Sequence, residues 1–107
     1  MHDIIELQKL YLSNFDLSFP IDFVSSNTYG ENICNNDVFL ISNYCFSEIN
    51  SYNQKNYIDI LFPKVKHGFI IWNHIPLYNF GKEIIKVESE RPVTGCKDGN
   101  SNLFVFF

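Results

Sequence analysis

Alanine is absent from this chain, and arginine occurs once, at Arg91. Eight basic side chains stand against 12 acidic ones, for a formal charge of −4. A phosphate-tracking protein presents a basic face, and readers of phosphate or guanine favour arginine for bidentate contacts. With neither feature present, no nucleic-acid partner is expected. No apolar run approaches the roughly 18 residues of a membrane span, and Met1-His2-Asp3 lacks the basic start of a secretory leader. No membrane association is therefore expected. Cys34, Cys45 and Cys96 form no CxxC and no close Cys/His pair. So sparse and odd a set reads as reduced thiols, hence a cytoplasmic location. His67 and His74 flank a strand-like run without an acidic residue at ligand spacing, so no metal site is expected. GxGxxG, GxxxxGK[ST] and GxSxG are all missing, which removes the dinucleotide, P-loop and α/β-hydrolase readings.

What is present suits one small domain. The chain has 107 residues, 46% of them hydrophobic and 17% aromatic, enough to bury about two-thirds of the unfolded surface. Its crowding with Asn, Ile, Phe, Tyr and Lys fits AT-rich coding, so scattered asparagines are background rather than a low-complexity tract.

Met1 to Phe15 reads as a helix: Asp3 and Glu6 have capping-box spacing, and Ile4, Leu7, Leu10 and Tyr11 form an apolar stripe. Ile21 to Val24, after Pro20, reads as a short strand. Val38 to Ile41 is apolar at every position, which predicts a strand covered on both faces. Ser51 and Gln54 form a second capping pair ahead of Tyr57, Ile58, Ile60 and Leu61, and Pro63 marks the exit. Phe69 to Trp72 is the next apolar run. Strand, helix and strand at this separation predict a right-handed βαβ unit with parallel strands. Ile84 to Glu88 and Leu103 to Phe107 predict an antiparallel hairpin. Its connection, Ser89 to Asn102, holds Pro92, Gly95, Gly99 and Asn100 and is either a lid or slack.

In an open parallel sheet, ligands bind beyond the carboxyl ends of the strands. The residues expected there are Ser25, Ser26 and Asn27, then Asn43, Tyr44, Ser47 and Glu48, then Asn73 and His74. Glu48 and His74 are the two that could take a proton from a hydroxyl. Each has a plainer alternative: Asn43 and Asn73 closing turns, Glu48 and His74 facing solvent.

The stretch Ser42-Asn43-Tyr44-Cys45-Phe46-Ser47-Glu48 resembles an SNYxFSE segment that follows the fourth strand of the sugar O-methyltransferases. These are S-adenosylmethionine-dependent enzymes of the Rossmann-like class. The Gln54-to-Tyr57 helix, His67-Gly68-Phe69-Ile70, the opening Ile4 to Leu12, and the tail through Pro92, Thr94-Gly95 and the Phe-rich end extend the resemblance over nearly the whole chain. The opening is similar to the helix after the family's second strand.

The resemblance implies an α/β fold, a partial Rossmann-like methyltransferase sheet (parallel βαβ plus a C-terminal antiparallel hairpin) lacking the first two strands. Residues 1–107 would be a single partial domain. The family's order, 3-2-1-4-5-7-6, leaves the strand at Val38 beside the missing first strand and the strand at Ile21 beside the missing second. The glycine-rich loop and the acidic residue that hold the cofactor are not in this sequence. It further implies Ser26, Asn27, Asn43 and Tyr44 near the cofactor, Asn73 near the sugar, and Glu48 or His74 as base. S-adenosylmethionine is the intact family's cofactor, and none is expected on this chain alone. A truncated or split gene is the expectation, with or without a partner chain that supplies the N-terminal half. The alternative is a small non-catalytic module that pairs through an exposed strand edge.

Overall fold

A computed structural model describes residues 2–97 and 99–107. It holds helix α1 (His2–Leu12), strand β1 (Val38–Asn43), helix α2 (Ser51–Ile60), strands β2 (Val65–Trp72) and β3 (Lys86–Ser89), a short β4–β5 pair (Cys96–Lys97 and Asn100–Ser101), and β6 (Leu103–Phe106). One-turn 3-10 segments cover Ser26–Thr28 and Phe62–Lys64. Among the described residues, no helix is long and apolar enough to cross a membrane.

The main sheet has the order β1-β2-β6-β3. β1 and β2 are parallel, as the βαβ spacing predicts, and β6 runs antiparallel to both β2 and β3. Strands β1, β2 and β3 therefore share one direction, and their carboxyl ends lie at one end of the sheet. The predicted hairpin is present as β3 and β6, and β6 lies between β3 and β2. Its connection is tied down: Glu90 N donates to Asn102 O at 2.9 Å, and Cys96–Lys97 pairs with Asn100–Ser101.

The core lies on one face. Ile70, Trp72, Val105 and Phe107 point into it, together with Phe46, Phe62, Val65 and Phe80. Trp72 stacks on Phe80, and Phe62 on Phe107. Gly68 is required here, since a Cβ would stand 2.3 Å from the Phe107 ring. The two residues also exchange both backbone hydrogen bonds, at 2.8 and 3.1 Å.

The opposite face is bare. Phe39 and Ile41 of β1 are 60% and 68% exposed. Phe69, Ile71, Phe104 and Phe106 continue the same face across β2 and β6 and half-bury one another. This corrects the expectation of a β1 covered on both faces: the apolar run is there, but the second covering layer is not.

Three other readings change. Ile21 to Val24 is irregular, because no neighbouring strand stands beside it to accept its backbone bonds. Helix α1 ends at Leu12 rather than Phe15, where the Ser13 hydroxyl and the Asn14 amide both take the Leu10 carbonyl. Asp3 lies inside its first turn, and Glu6 pairs with Lys9 at 3.0 Å instead of reaching back. Helix α2 is capped by Asn50, whose side chain accepts from Asn53 N at 2.9 Å. Ser51 is the first helical residue, and the Gln54 amide turns back to Phe46 O. Asparagine caps at least as well as serine and stands one residue earlier.

Candidate functional site

The carboxyl ends of the parallel strands gather three groups of side chains. The first is a cleft of about 570 Å³ between β1, α2 and the 3-10 turn at Ser26. Ser26, Asn27, Ser42, Asn43 and Asn53 bring hydroxyl and amide groups to it, while Tyr29, Tyr57, Phe46 and Phe62 line it with rings. Three of the four residues expected near a cofactor, Ser26, Asn27 and Asn43, thus meet in one cavity.

The far wall of that cleft is held by contacts that local pattern does not reveal. Tyr29 donates from its hydroxyl to Asn53 Oδ1 at 2.8 Å and stands edge-on to Tyr57. The Lys64 ammonium donates to the carbonyls of Gly30 and Glu31 at 3.0 and 2.9 Å. Gly30, at φ +80°, lets the turn lie so close to Leu61 that a Cβ would stand 2.8 Å from its Cδ1. Burial, with Cys45 and Tyr29 adding to it, pushes the Tyr57 hydroxyl above its ordinary pKa, so the ring sits in the wall as a neutral phenol. An aromatic cleft rimmed by amides suits a planar, hydrogen-bonding ring such as a nucleobase.

The second group joins the ends of β1 and β2. Asn73 donates from its backbone N–H to Ser47 Oγ at 3.2 Å and from its side-chain amide to Glu48 Oε1. Ser47 and Asn73 are buried, and among the described residues Asn73 Oδ1 has no hydrogen-bond partner. Glu48 is therefore oriented by Asn73. Among the described residues, no ion pair joins Glu48 to His74. His74 lies half-buried in the sharp turn where Ile75 N donates to Asn73 O at 2.7 Å.

The third group takes Tyr44 away from the cleft. Its left-handed backbone, φ 53°, turns the hydroxyl to Glu90 and to Thr94 Oγ1, the latter at 2.9 Å. The buried Glu90 carboxylate also accepts from Thr94 N at 3.1 Å, Thr94 Oγ1 at 2.7 Å and Asn102 Nδ2 at 3.0 Å. The Thr94 hydroxyl is the largest influence holding Glu90 below the usual carboxylate range, with the Thr94 and Asn102 amides helping and burial opposing. So many donors make Glu90 a poor base and a good anchor. Sequence reasoning missed it because its partners lie up to 46 residues away.

Among the described residues, no three His, Cys, Asp or Glu side chains converge as a metal site would require. Comparison of the sequence with protein-family profiles and curated proteins, and of the fold with solved structures, finds no match.

Proposed function

We propose that this chain is the later part of an S-adenosylmethionine-dependent sugar O-methyltransferase-like domain, and that it transfers no methyl group by itself. The observation that carries the reading is the order and direction of the strands. β1-β2-β6-β3, with β6 alone reversed, corresponds to the 4-5-7-6 portion of the order that the resemblance implies. The meeting of Ser26, Asn27 and Asn43 in one ring-lined cleft supports it.

In that reading the cleft takes the base of the cofactor, while the glycine-rich loop for its methionine end comes from a partner chain. Asn73 holds Glu48 toward the acceptor sugar, and His74 stands beside them. In the assembled enzyme the cofactor would supply the methyl group to a sugar hydroxyl, and Glu48 or His74 would take that hydroxyl's proton. The products are a methyl ether and S-adenosylhomocysteine.

Titration calorimetry tests it. The chain alone is expected to give no saturable heat with S-adenosylmethionine. Adding a segment that encodes a strand and a glycine-rich loop is expected to restore binding. Tight binding by the chain alone would overturn the idea that half the site is elsewhere. A complemented protein that still binds no S-adenosylmethionine would overturn the methyltransferase reading.

A second reading is favoured by the open side of β1, which no described strand covers. Here the chain is a non-catalytic module that pairs through this edge.

A further inference from the structure

We infer that the free edge of β1 pairs antiparallel with the β1 of a second copy of this chain, about a two-fold axis at Leu40. The inference rests on the edge-pairing reading and competes with the methyltransferase one, in which a strand of the missing half takes the same edge.

The backbone defines which groups are available. Tyr44 N donates to Ile71 O of β2 at 3.2 Å. Strand backbone groups alternate sides, so Leu40 and Ser42 also face β2, while the N–H and C=O groups of Phe39, Ile41 and Asn43 face outward. Among the described residues, those outward groups meet no backbone partner.

The edge also lacks the devices that keep a strand single. Val38 to Asn43 carries no charge and no proline. Its one irregularity is a register shift at its entry, between Val38 and Phe39.

The pattern of exposure says that what is missing is a strand alongside. On the bare face, Phe69, Ile71, Phe104 and Phe106 are half-buried by their cross-strand neighbours. The two most exposed members, Phe39 at 60% and Ile41 at 68%, are those on the edge strand, with a neighbour on one side only.

A second copy supplies the matching edge. A two-fold axis at Leu40 sets Phe39 opposite the second copy's Ile41, and Ile41 opposite the second copy's Phe39. Each pair exchanges two backbone bonds and forms an aromatic–β-branched contact. Asn43 then faces the second copy's Asp37, an amide against a carboxylate, with no like charges opposed. There is surface to give. The chain exposes 7718 Å², and Phe39 and Ile41 are among its exposed apolar side chains. A standard interface takes about 800 Å² from each partner.

Sedimentation of the intact chain from micromolar to submillimolar concentration, with amide exchange read residue by residue, tests the pairing. The expected result is a monomer–dimer equilibrium in which the Phe39, Ile41 and Asn43 amides are protected only at high concentration. Leu40, Ser42 and Tyr44 should be protected throughout. Ile41→Pro removes an outward N–H and no bond to β2, and it should weaken the dimer at least tenfold. If that variant does not fold, Phe39→Lys decides, since it places a charge in both cross-strand pairs and should weaken the dimer as much. A monomer at every concentration overturns self-pairing, and odd-residue amides protected in that monomer would mean that another segment of the same chain covers the edge. A dimer that survives the substitution, or one that leaves Phe39, Ile41 and Asn43 exchanging freely, overturns edge pairing as well.

Discussion

The two edges of this sheet are built to opposite rules. β3 carries Lys86 and Glu88, joined by an ion pair at 2.8 Å, and all four of its residues are exposed. β1 is longer and uncharged, and it shows Phe39 and Ile41 to solvent. Charge on an edge strand keeps other strands from adding, and its absence leaves the backbone as a template. β3 is therefore a finished boundary, while β1 has the composition of an interior strand. The same division separates the two faces: one is closed by α2, Phe46, Phe62 and Phe80, the other by nothing described.

The largest expected effect sets one face against the other with one residue type. Ile70 is fully buried and Ile41 is largely exposed. Ile70→Ala should cost about 2–5 kcal/mol, lost methylenes plus a cavity. Ile41→Ala, in dilute monomer, should stay within about 0.5 kcal/mol, as surface changes do. Urea unfolding at low protein concentration measures both, and equal losses would mean that the bare face is covered after all.

Gly68→Ala comes next. The new Cβ would meet the Phe107 ring at 2.3 Å, and overpacking of this kind costs about 1–3 kcal/mol. The entropic gain of replacing glycine is only about 0.4–1 kcal/mol, so net destabilisation is expected in the same unfolding assay. A neutral or stabilised variant would show that Phe107 repacks freely, against the stacking with Phe62.

Much of this division was legible in the residues, and its limits were physical. The uniformly apolar runs at Val38 and Phe69, with a helix-length span between them, predict parallel neighbours, and β1 and β2 are such neighbours. Turn residues between Ile84 and Leu103 predict the antiparallel β3–β6 pair. Apolar character alone, however, predicts a β1 covered twice without saying whether a covering layer is present. The place of β6 between β2 and β3 is a long-range choice that no local pattern encodes, and only the strand order implied by the resemblance anticipates it. Ile21 to Val24 has strand composition but no strand beside it. At the site, Ser26, Asn27 and Asn43 meet in one cleft, although the strand expected ahead of Ser26 is not formed and Asn43 is the last residue of β1. Tyr44 was expected near a cofactor, yet its hydroxyl goes to Glu90, across the sheet end. Tyr29, Asn53 and Lys64 drew no attention because the contacts that make them the cleft wall span 24 to 34 residues.

Glu90 sharpens the contrast at the carboxyl end of β3. Its folded value lies below the ordinary carboxylate one, so its contribution is fully present above the unfolded value. That contribution is lost as pH falls through the folded value. Acid should therefore loosen residues 90–102 before it affects the core. Protection of the Thr94 amide, corrected for intrinsic exchange, should fall across the acid range in the parent chain. In Glu90→Gln it should be weaker throughout and show no such step. An identical step in both proteins would mean that another group anchors the loop.

The smallest effect on stability bears most directly on the edges. Lys86 and Glu88 are about half exposed, and an exposed pair of this kind is worth about 0–1 kcal/mol. Replacing both with valine should hardly move the unfolding midpoint, because the backbone bonds of β3 to β6 remain. It would, however, give β3 the uncharged character that β1 already has. Light scattering should then show species beyond a dimer, since each chain would carry two open edges and pairing would no longer close on itself. Adding Ile41→Pro to that variant should return a dimer, joined through β3 instead of β1. If the valine variant stays as dispersed as the parent, charge is not what keeps β3 single, and the contrast between the edges needs another cause.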